Sequence, residues 1–393
     1  MKKALILSPF FSPEPISSGK YNTVFASALI AKDIEVTVYC SHPLYPTWKV
    51  EYSHQQISGC RIFRGGGWMR YPKNPILRRL ALEIWFSMYC LIKAFKLEKF
   101  DVIIPVFPPS LFGIFLPLFR LSGGRIIGIV HDLQDLHTSN SKSWMRRILH
   151  FFITFIEKYS FRHCDHLIFL SEAMQKKAGA AYRLGPSKSS VHFPFVTIEI
   201  FCNTGALKNI IPDNQISIVY SGALGAKQAP HKILAFYQFV LSKNQQAHCY
   251  IFSLGPEFER LKAENENSRI HFHPLVPEEK LPELLLRSTI QLLPQETGTA
   301  DGSLPSKLPN ILASGTKILC ITDPEGDLLN LLSRYPFART STTWDFSALY
   351  RLLQELLVMP SGHAISIAKP LLSKFSANNL VDEIVHIVKQ PRM

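Results

Sequence analysis

The 393-residue chain reads as an α/β protein of two Rossmann-like, doubly wound domains, and three observations predict this. Short apolar runs alternate with helix-length segments along the whole chain. The runs carry little polar alternation, as parallel strands covered on both faces do. The alternation becomes irregular once, between residues 195 and 214, and then restarts, so one boundary divides a chain too long for a single simple core.

In the first half the pattern predicts strands over 4–8, 35–40, 102–106, 125–130 and 166–169, with helices over 19–32, 76–97, 110–121 and 144–163. The start, Met1-Lys2-Lys3-Ala4-Leu5-Ile6-Leu7, has too short an apolar run for a signal peptide; it reads as a buried first strand, which leaves the protein in the cytoplasm. The stretch 102–119 lacks charge and approaches the length of a membrane span, but Pro105, Pro108, Pro109 and Pro117 interrupt it. A strand, a Pro-Pro turn and a buried helix from Ser110 fit it better. In the second half, strands over 216–221, 247–253, 269–273, 290–293 and 317–321 alternate with helices over 230–242, 256–264, 278–286, 307–314 and 325–334. A last helix runs from about 378 to 389, capped by Ser376. Ligands of such folds sit at the strand C-terminal ends, and two of them would face each other across a cleft.

An apolar share of 47% with 19% charged residues describes a globular chain, and the net charge of +13 points to an acidic partner: nucleic acid, anionic lipid or a phosphorylated substrate. No recognition-helix or RNP-like motif accompanies the charge, so nucleic acid is not expected. The seven cysteines are scattered without a CxxC pair, which suits a reducing compartment and excludes a disulfide framework. His271-x-His273 and His163-Cys164-Asp165-His166 complete no metal-ligand spacing, so structural roles are expected and no metal is. No GxGxxG and no GxSxG is present, which disfavours a nicotinamide dehydrogenase and a serine hydrolase.

The residues with chemistry lie where strands end. Ser306 would cap a helix that closes at Gly315, with Lys307 in its first turn, Leu308 and Asn310 following, and Pro309 tolerated because that turn needs no donor. A helix N-terminus offers unpaired N–H groups and a positive dipole end to a phosphate, although an ordinary capped helix reads the same way. Gly19 and Lys20 open a helix after the first strand, and Gly222 with Lys227 follows strand 216–221. Converging cations of this kind suit a diphosphate leaving group, while each lysine alone also reads as a solvated surface charge. His131 and Asp132 end strand 125–130 directly, with Gln134 and Asp135 just beyond.

These stretches together resemble family 4 glycosyltransferases of the GT-B fold over almost the full length. The resemblance rests on Ser8-Pro9-Phe10-Phe11-Ser12-Pro13-Glu14, Gly19-Lys20-Tyr21, Val130-His131-Asp132, Leu170-Ser171-Glu172-Ala173-Met174, Tyr220-Ser221-Gly222, Leu293-Pro294, Pro305-Ser306-Lys307-Leu308 and Ala313-Ser314-Gly315. The branch it most resembles assembles bacterial exopolysaccharides and O-antigens. It implies an acceptor domain over 1–200, a donor domain over 201–375 and a C-terminal helix over 376–393 that packs back toward the first domain. It further implies retaining sugar transfer from a nucleoside-diphosphate sugar to a lipid-linked or oligosaccharide acceptor, without a metal. Gly19 and Lys20 would lie near the donor phosphate, His131 would bond the donor sugar, and Asp132 would shape that loop. Lys227, Lys307 and Ser306 would neutralise the diphosphate, and Leu275 and Val276 would frame the base. Two departures stand out. Ala223 occupies a position where the family commonly has arginine, and Gly302 and Asn310 replace its usual pair of glutamates, leaving Asn310 for a ribose hydroxyl with Asp301 or Glu296 nearby.

Cations at Arg61, Arg64, Arg78, Arg79, Lys93 and Lys96 interleave with Trp68, Trp85, Phe86 and Tyr89, and a second basic-aromatic stripe runs from Trp144 to Tyr159. Both suit an anionic membrane surface, where an undecaprenyl-diphosphate-linked acceptor would be reached, although the stripes could equally pack on the sheet. Two other functions fit the same fold. A nucleotide-sugar 2-epimerase would need acid and base carboxylates in the cleft, with few candidates beyond Asp132, Asp135 and Glu296. A lapsed scaffold in a polysaccharide-assembly complex would tolerate loss of Lys227 and Lys307.

Overall fold

A computed structural model describes residues 1–96, 98–133, 144–199, 204–296, 304–324, 326–333, 335–360 and 371–391, with the backbone alone described at 144–150 and 186. The chain divides into unit 1, Met1–Phe195 with Ser376–Met393, and unit 2, Val196–Phe375.

Unit 1 is built on seven parallel strands: β1 (Lys3–Leu7), β2 (Glu35–Ser41), β3 (Cys60–Gly65), β4 (Val102–Phe107), β5 (Arg125–Val130), β6 (His166–Phe169) and β7 (Ser189–Val191). Their spatial order is β3-β2-β1-β4-β5-β6-β7, the doubly wound order in which the chain reverses direction between β1 and β4. The helices are α1 (Ser17–Ile30), α2 (Pro75–Ala94), the single turn α3 (Leu116–Phe119), α4 (Trp144–Arg162) and α5 (Glu172–Tyr182). One face of the sheet packs Val36, Val38 and Ile104 against Phe25 and Leu29 of α1; the other packs Leu5, Ile103 and Phe107 against Trp85 and Phe86 of α2 and Phe161 of α4. The expected helix over 110–121 is instead a 3₁₀ turn (Leu111–Phe115), α3 and a second 3₁₀ turn (Arg120–Ser122), with Phe112, Leu116 and Phe119 fully buried. Among the described residues no helix is long and apolar enough to cross a membrane.

Unit 2 has six parallel strands: β8 (Ile216–Ser221), β9 (Ala247–Ser253), β10 (Ile270–Pro274), β11 (Ile290–Pro294), β12 (Lys317–Ile321) and β13 (Ala338–Ser341). The order β10-β9-β8-β11-β12-β13 repeats that of unit 1, with its reversal between β8 and β11. Its helices are α6 (Pro230–Lys243), α7 (Pro256–Glu264), α8 (Leu281–Arg287), α9 (Leu308–Ser314), α10 (Asp327–Leu332) and α11 (Phe346–Val358). The start of the unit is tied down by a buried carboxylate: Glu283 of α8 accepts from the amides of Ala206 and Leu207 and from Arg287. Against the cost of burial, that guanidinium and those amides hold Glu283 at about 2.

The last helix, α12 (Ala377–Lys389), returns to unit 1, where Leu380, Val381 and Ile384 join the core beside α1 and Lys32 pairs with Asp382. Ser376 stands at its N-cap without a side-chain cap bond. The six described cysteines are buried thiols, and Cys202 lies outside the described residues.

Candidate functional site

In unit 2 the polar groups gather where β8 ends, beside the point at which strand order reverses. Gly222 follows β8 with φ +139°, a conformation that a residue with a Cβ adopts only under strain, and its amide donates to Phe252 O at 3.0 Å. The loop then folds back, with the Tyr220 hydroxyl donating to Ala223 O at 2.6 Å. Lys307 reaches this bend from the other side of the reversal. Its Nζ lies 4.0 Å from the centre of the Tyr220 ring and donates to Ser221 O at 3.3 Å. Burial pushes its ammonium down to about 7, and no carboxylate among the described residues acts on it. A part-buried cation held by an aromatic face and a carbonyl, with no counter-ion among the described residues, is placed to take an anion.

The local fold of this segment differs from expectation. The helix opens at Leu308, and Lys307, not Ser306, is its N-cap residue, with no side-chain cap bond. The reason is that Leu308 N donates to Pro305 O at 2.9 Å, so a tight turn through Ser306 precedes the helix and leaves Ser306 exposed. Gly315 closes the helix with φ +70°. Leu308 itself is fully buried. Asn310 is buried and its amide is engaged: Oδ1 accepts from Thr197 N at 2.8 Å and Nδ2 donates to Thr197 Oγ1 at 3.0 Å. A ribose hydroxyl would compete with Thr197 for it.

Lys227 lies exposed in a 3₁₀ turn (Ala226–Gln228), and its carbonyl accepts from Glu296 N at 2.8 Å, which ties this turn to the loop after β11. Glu296 forms an ion pair with Lys232 at 2.6 Å. Leu275 is partly exposed after β10, and Val276, like Leu281 and Ile210, packs against the buried cluster that includes Leu207, Ile211 and Tyr250. Asp301, Gly302, Gln134 and Asp135 lie outside the described residues. Among those described, no group of three or more His, Cys, Asp or Glu residues could hold a metal; His271 stacks on Tyr250 at 4.7 Å and bonds His248 at 2.9 Å.

Unit 1 presents a different set. Gly19 stands in the first turn of α1, where a Cβ would meet Glu14 O at 2.8 Å, so the loop after β1 packs flat on the helix start. Glu14 holds that loop: its buried carboxylate accepts from the amides of Leu44 at 2.9 Å and Tyr45 at 2.6 Å, and burial raises its pKa in spite of those bonds. Glu14 was legible only as part of a motif. Lys20, part-buried, continues the same turn, its amide donating to Ile16 O. His131 ends β5 with its amide on Phe107 O at 2.8 Å and its ring edge-on to Tyr21 at 6.0 Å. Burial lowers the imidazole to about 4, and among the described residues its Nδ1 has no hydrogen-bond partner. At neutral pH it is therefore an uncharged hydrogen-bonding group. Asp132 turns onto the next amide, Oδ1 accepting from Leu133 N at 2.9 Å.

Beside the ends of β1 and β4 a cavity of about 340 Å³ is lined by Phe10, Trp48, Arg78, Leu82, Pro108 and Pro109. The Arg78 guanidinium stacks over the Trp48 ring at 4.1 Å. Trp85 and Phe86, read above as membrane-facing aromatics, are buried in the core instead, because the helical period of α2 turns 82, 85, 86 and 90 inward. Arg61 is paired with Glu98 at 2.8 Å, and Arg64 donates to Ser12 O.

Known proteins match this arrangement. Residues 18–199 fit the family model described as Glycosyltransferase Family 4. Over 402 aligned residues the chain is 26% identical to WcaI of Escherichia coli (strain K12), provisionally named a colanic acid biosynthesis glycosyl transferase, with 93% of this chain and 94% of that protein covered. WaaG, a glycosyltransferase involved in lipopolysaccharide biosynthesis, superposes with a TM-score of 0.68 at 12% identity, covering 99% of this chain and 100% of its own. An E. coli trehalose-6-phosphate structure with UDP-2-fluoro glucose bound superposes with a TM-score of 0.67 at 11% identity, covering 99% of each chain. With a family match over residues 18–199, a near-full-length relative at 26% identity and two sheets wound in the same order, the chain is similar to family 4 glycosyltransferases and carries the GT-B fold.

Proposed function

We propose that this glycosyltransferase transfers a hexose-type sugar, with retention of configuration, from a nucleoside-diphosphate sugar to an undecaprenyl-diphosphate-linked glycan during assembly of a bacterial surface polysaccharide, while peripherally associated with the inner face of the cytoplasmic membrane. The carrying observation is Lys307: a part-buried ammonium on the Tyr220 ring beside the strand-order reversal of unit 2, its pKa pushed down to about 7 by burial, with no carboxylate among the described residues acting on it. A diphosphate would supply the missing charge, and the developing negative charge on the leaving group is what such a preorganised cation stabilises.

In this reading unit 2 is the donor domain. Lys307 and Lys227 neutralise the diphosphate with Ser306 and Gly222 beside them, Leu275 and Val276 frame the base, and no metal takes part. His131, uncharged at neutral pH, donates or accepts a hydrogen bond with a hydroxyl of the donor sugar; Gly19 lets the loop after β1 pack on the start of α1, where its amide would lie near the donor phosphate with Lys20 next to it. Unit 1 is the acceptor domain, and the cavity at Arg78 is the place for the acceptor's phosphate-bearing end. The relation to WcaI and WaaG supports the polysaccharide context, and the bound nucleotide sugar in the trehalose-6-phosphate neighbour supports the donor class.

The test is thermal stabilisation of the purified protein by UDP, GDP, dTDP and CMP. Selective stabilisation by one diphosphate nucleotide, lost in Lys307→Ala, is expected and names the base. No stabilisation by any of them at millimolar concentration, with glycan production unchanged in Lys307→Ala cells, would replace the transferase reading by that of a catalytically lapsed scaffold.

A further inference from the structure

The outer helices of a doubly wound domain bury one face on the sheet and normally show a polar face to water. In α2 both faces are apolar. Leu82, Trp85, Phe86 and Cys90 are buried, while Ile76, Leu80, Ile84, Met88 and Ile92, recurring every four residues on the outside, are each about half exposed or more. The patch continues sideways. The turn Leu111–Phe115 lies between α2 and α4, joined to the first by Glu83 and to the second by Ser160, and it exposes Ile114; α4 then exposes Phe151, Phe152 and Phe155. An apolar surface of this extent on one face marks an interaction site.

The charge on this face identifies what covers it. Each helix has a single carboxylate, and each is turned inward. Glu83 of α2 accepts from the amides of Ser110 at 3.0 Å and Leu111 at 2.9 Å. Glu157 of α4 is fully buried and accepts from the hydroxyls of Tyr182 at 2.5 Å and Ser110 at 3.4 Å. What remains at the surface beside the apolar stripe is cationic: Arg79 on α2, Lys96 just beyond its end, and Lys158 and Arg162 on α4. The first two turns of α2 also form one wall of the Arg78 cavity, so the stripe runs up to a site that two arginines border.

We infer that the face formed by α2, the turn Leu111–Phe115 and α4 docks on an anionic lipid bilayer, with the apolar side chains entering the headgroup–acyl boundary and the cations at the lipid phosphates. This deepens the proposed function, since it names the surface behind the membrane association stated there. Docking along α2 would bring a lipid-linked phosphate to the cavity at its first turns.

The experiment is co-sedimentation of the full-length protein with phosphatidylglycerol-containing vesicles and with pure phosphatidylcholine vesicles. Binding to the anionic vesicles is expected, weaker by at least about tenfold on the neutral ones and in the Ile84→Glu/Met88→Glu variant. Both substituted side chains are half exposed, so the variant should keep the melting temperature and the nucleotide-induced shift of the parent, which verifies its fold. Equal binding by variant and parent, or no binding by the parent, overturns the inference. So does a parent that is dimeric without lipid and becomes monomeric in the variant, because a second copy of the chain would then cover the face. Vesicle binding without any nucleotide shift would keep the docking surface and count against the donor reading alone.

Discussion

The outward face of α11 in unit 2 carries Ser347, Arg351, Gln354 and Glu355, whereas that of α2 in unit 1 carries Ile76, Leu80, Ile84 and Met88. Both helices cover a parallel sheet wound in the same strand order. The strand ends differ as sharply. In unit 2 a part-buried lysine waits on the ring of Tyr220; in unit 1 the strand-end group His131 is neutral, and the cavity beside β1 and β4 is walled by aromatic, proline and arginine side chains. One architecture thus carries two surface chemistries, one suited to a small polyanion and the other to an apolar, basic contact. Fold alone would not have separated them.

The largest effect should come from testing the two faces of α2 against each other. Phe86→Ala removes a fully buried ring that packs edge-to-face on Phe112 at 5.3 Å, and should cost about 3–5 kcal/mol of unit 1 stability by denaturant unfolding. Ile84→Ser, two residues away on the outer face, should change stability by no more than about 0.5 kcal/mol. Comparable losses at both positions would mean that the outer face is packed in solution.

On the unit 2 side, Lys307→Ala should lower sugar transfer by on the order of a hundredfold. Lys307→Met should do the same while raising the melting temperature of the ligand-free protein, because an apolar side chain of similar length removes the cost of burying the ammonium. A lower melting temperature would show that the cation is structural. Next in size, Asn310→Ala should destabilise unit 2 by about 1–3 kcal/mol, since it leaves the Thr197 amide without its acceptor; an effect on nucleotide affinity alone would assign Asn310 to the ribose instead.

The smallest signals are in proton linkage. Lys307 has a depressed pKa of about 7, so a bound diphosphate would raise it and binding would take up a proton. Affinity should therefore fall as pH rises from 7 to 9, and calorimetry in buffers of different ionisation enthalpy should register uptake that Lys307→Met abolishes. In unit 1 the sign is worked out on the same rule. His131 is held at about 4, below the ordinary imidazole value, so the unfolded chain binds the extra proton first. Its contribution to stability is present above pH 6.5 and is lost as pH falls toward 4, and His131→Asn should flatten that part of the stability profile.

The sequence by itself determined the two-sheet α/β plan and the position of the strands that are buried on both faces. Strands β8, β9 and β12 fall where the apolar runs are, because a run covered on both sides is a local signal that needs no partner to be read. It also determined the residue types at the strand ends and the closing role of Gly315. The edge strands β3 and β13 escaped it, since Arg61 and Arg64 in one and Arg339 in the other break the apolar run. The helix α11 was likewise missed. Tertiary structure alone decided that Lys307 lies over the Tyr220 ring, that Asn310 is engaged by Thr197, and that Glu83 and Glu157 turn inward. Each of these depends on what distant segments place beside a side chain. Periodicity tells which way a helix faces; it does not say whether a neighbour comes to meet it, and that is why Trp85 went to the core and Ile84 to the surface.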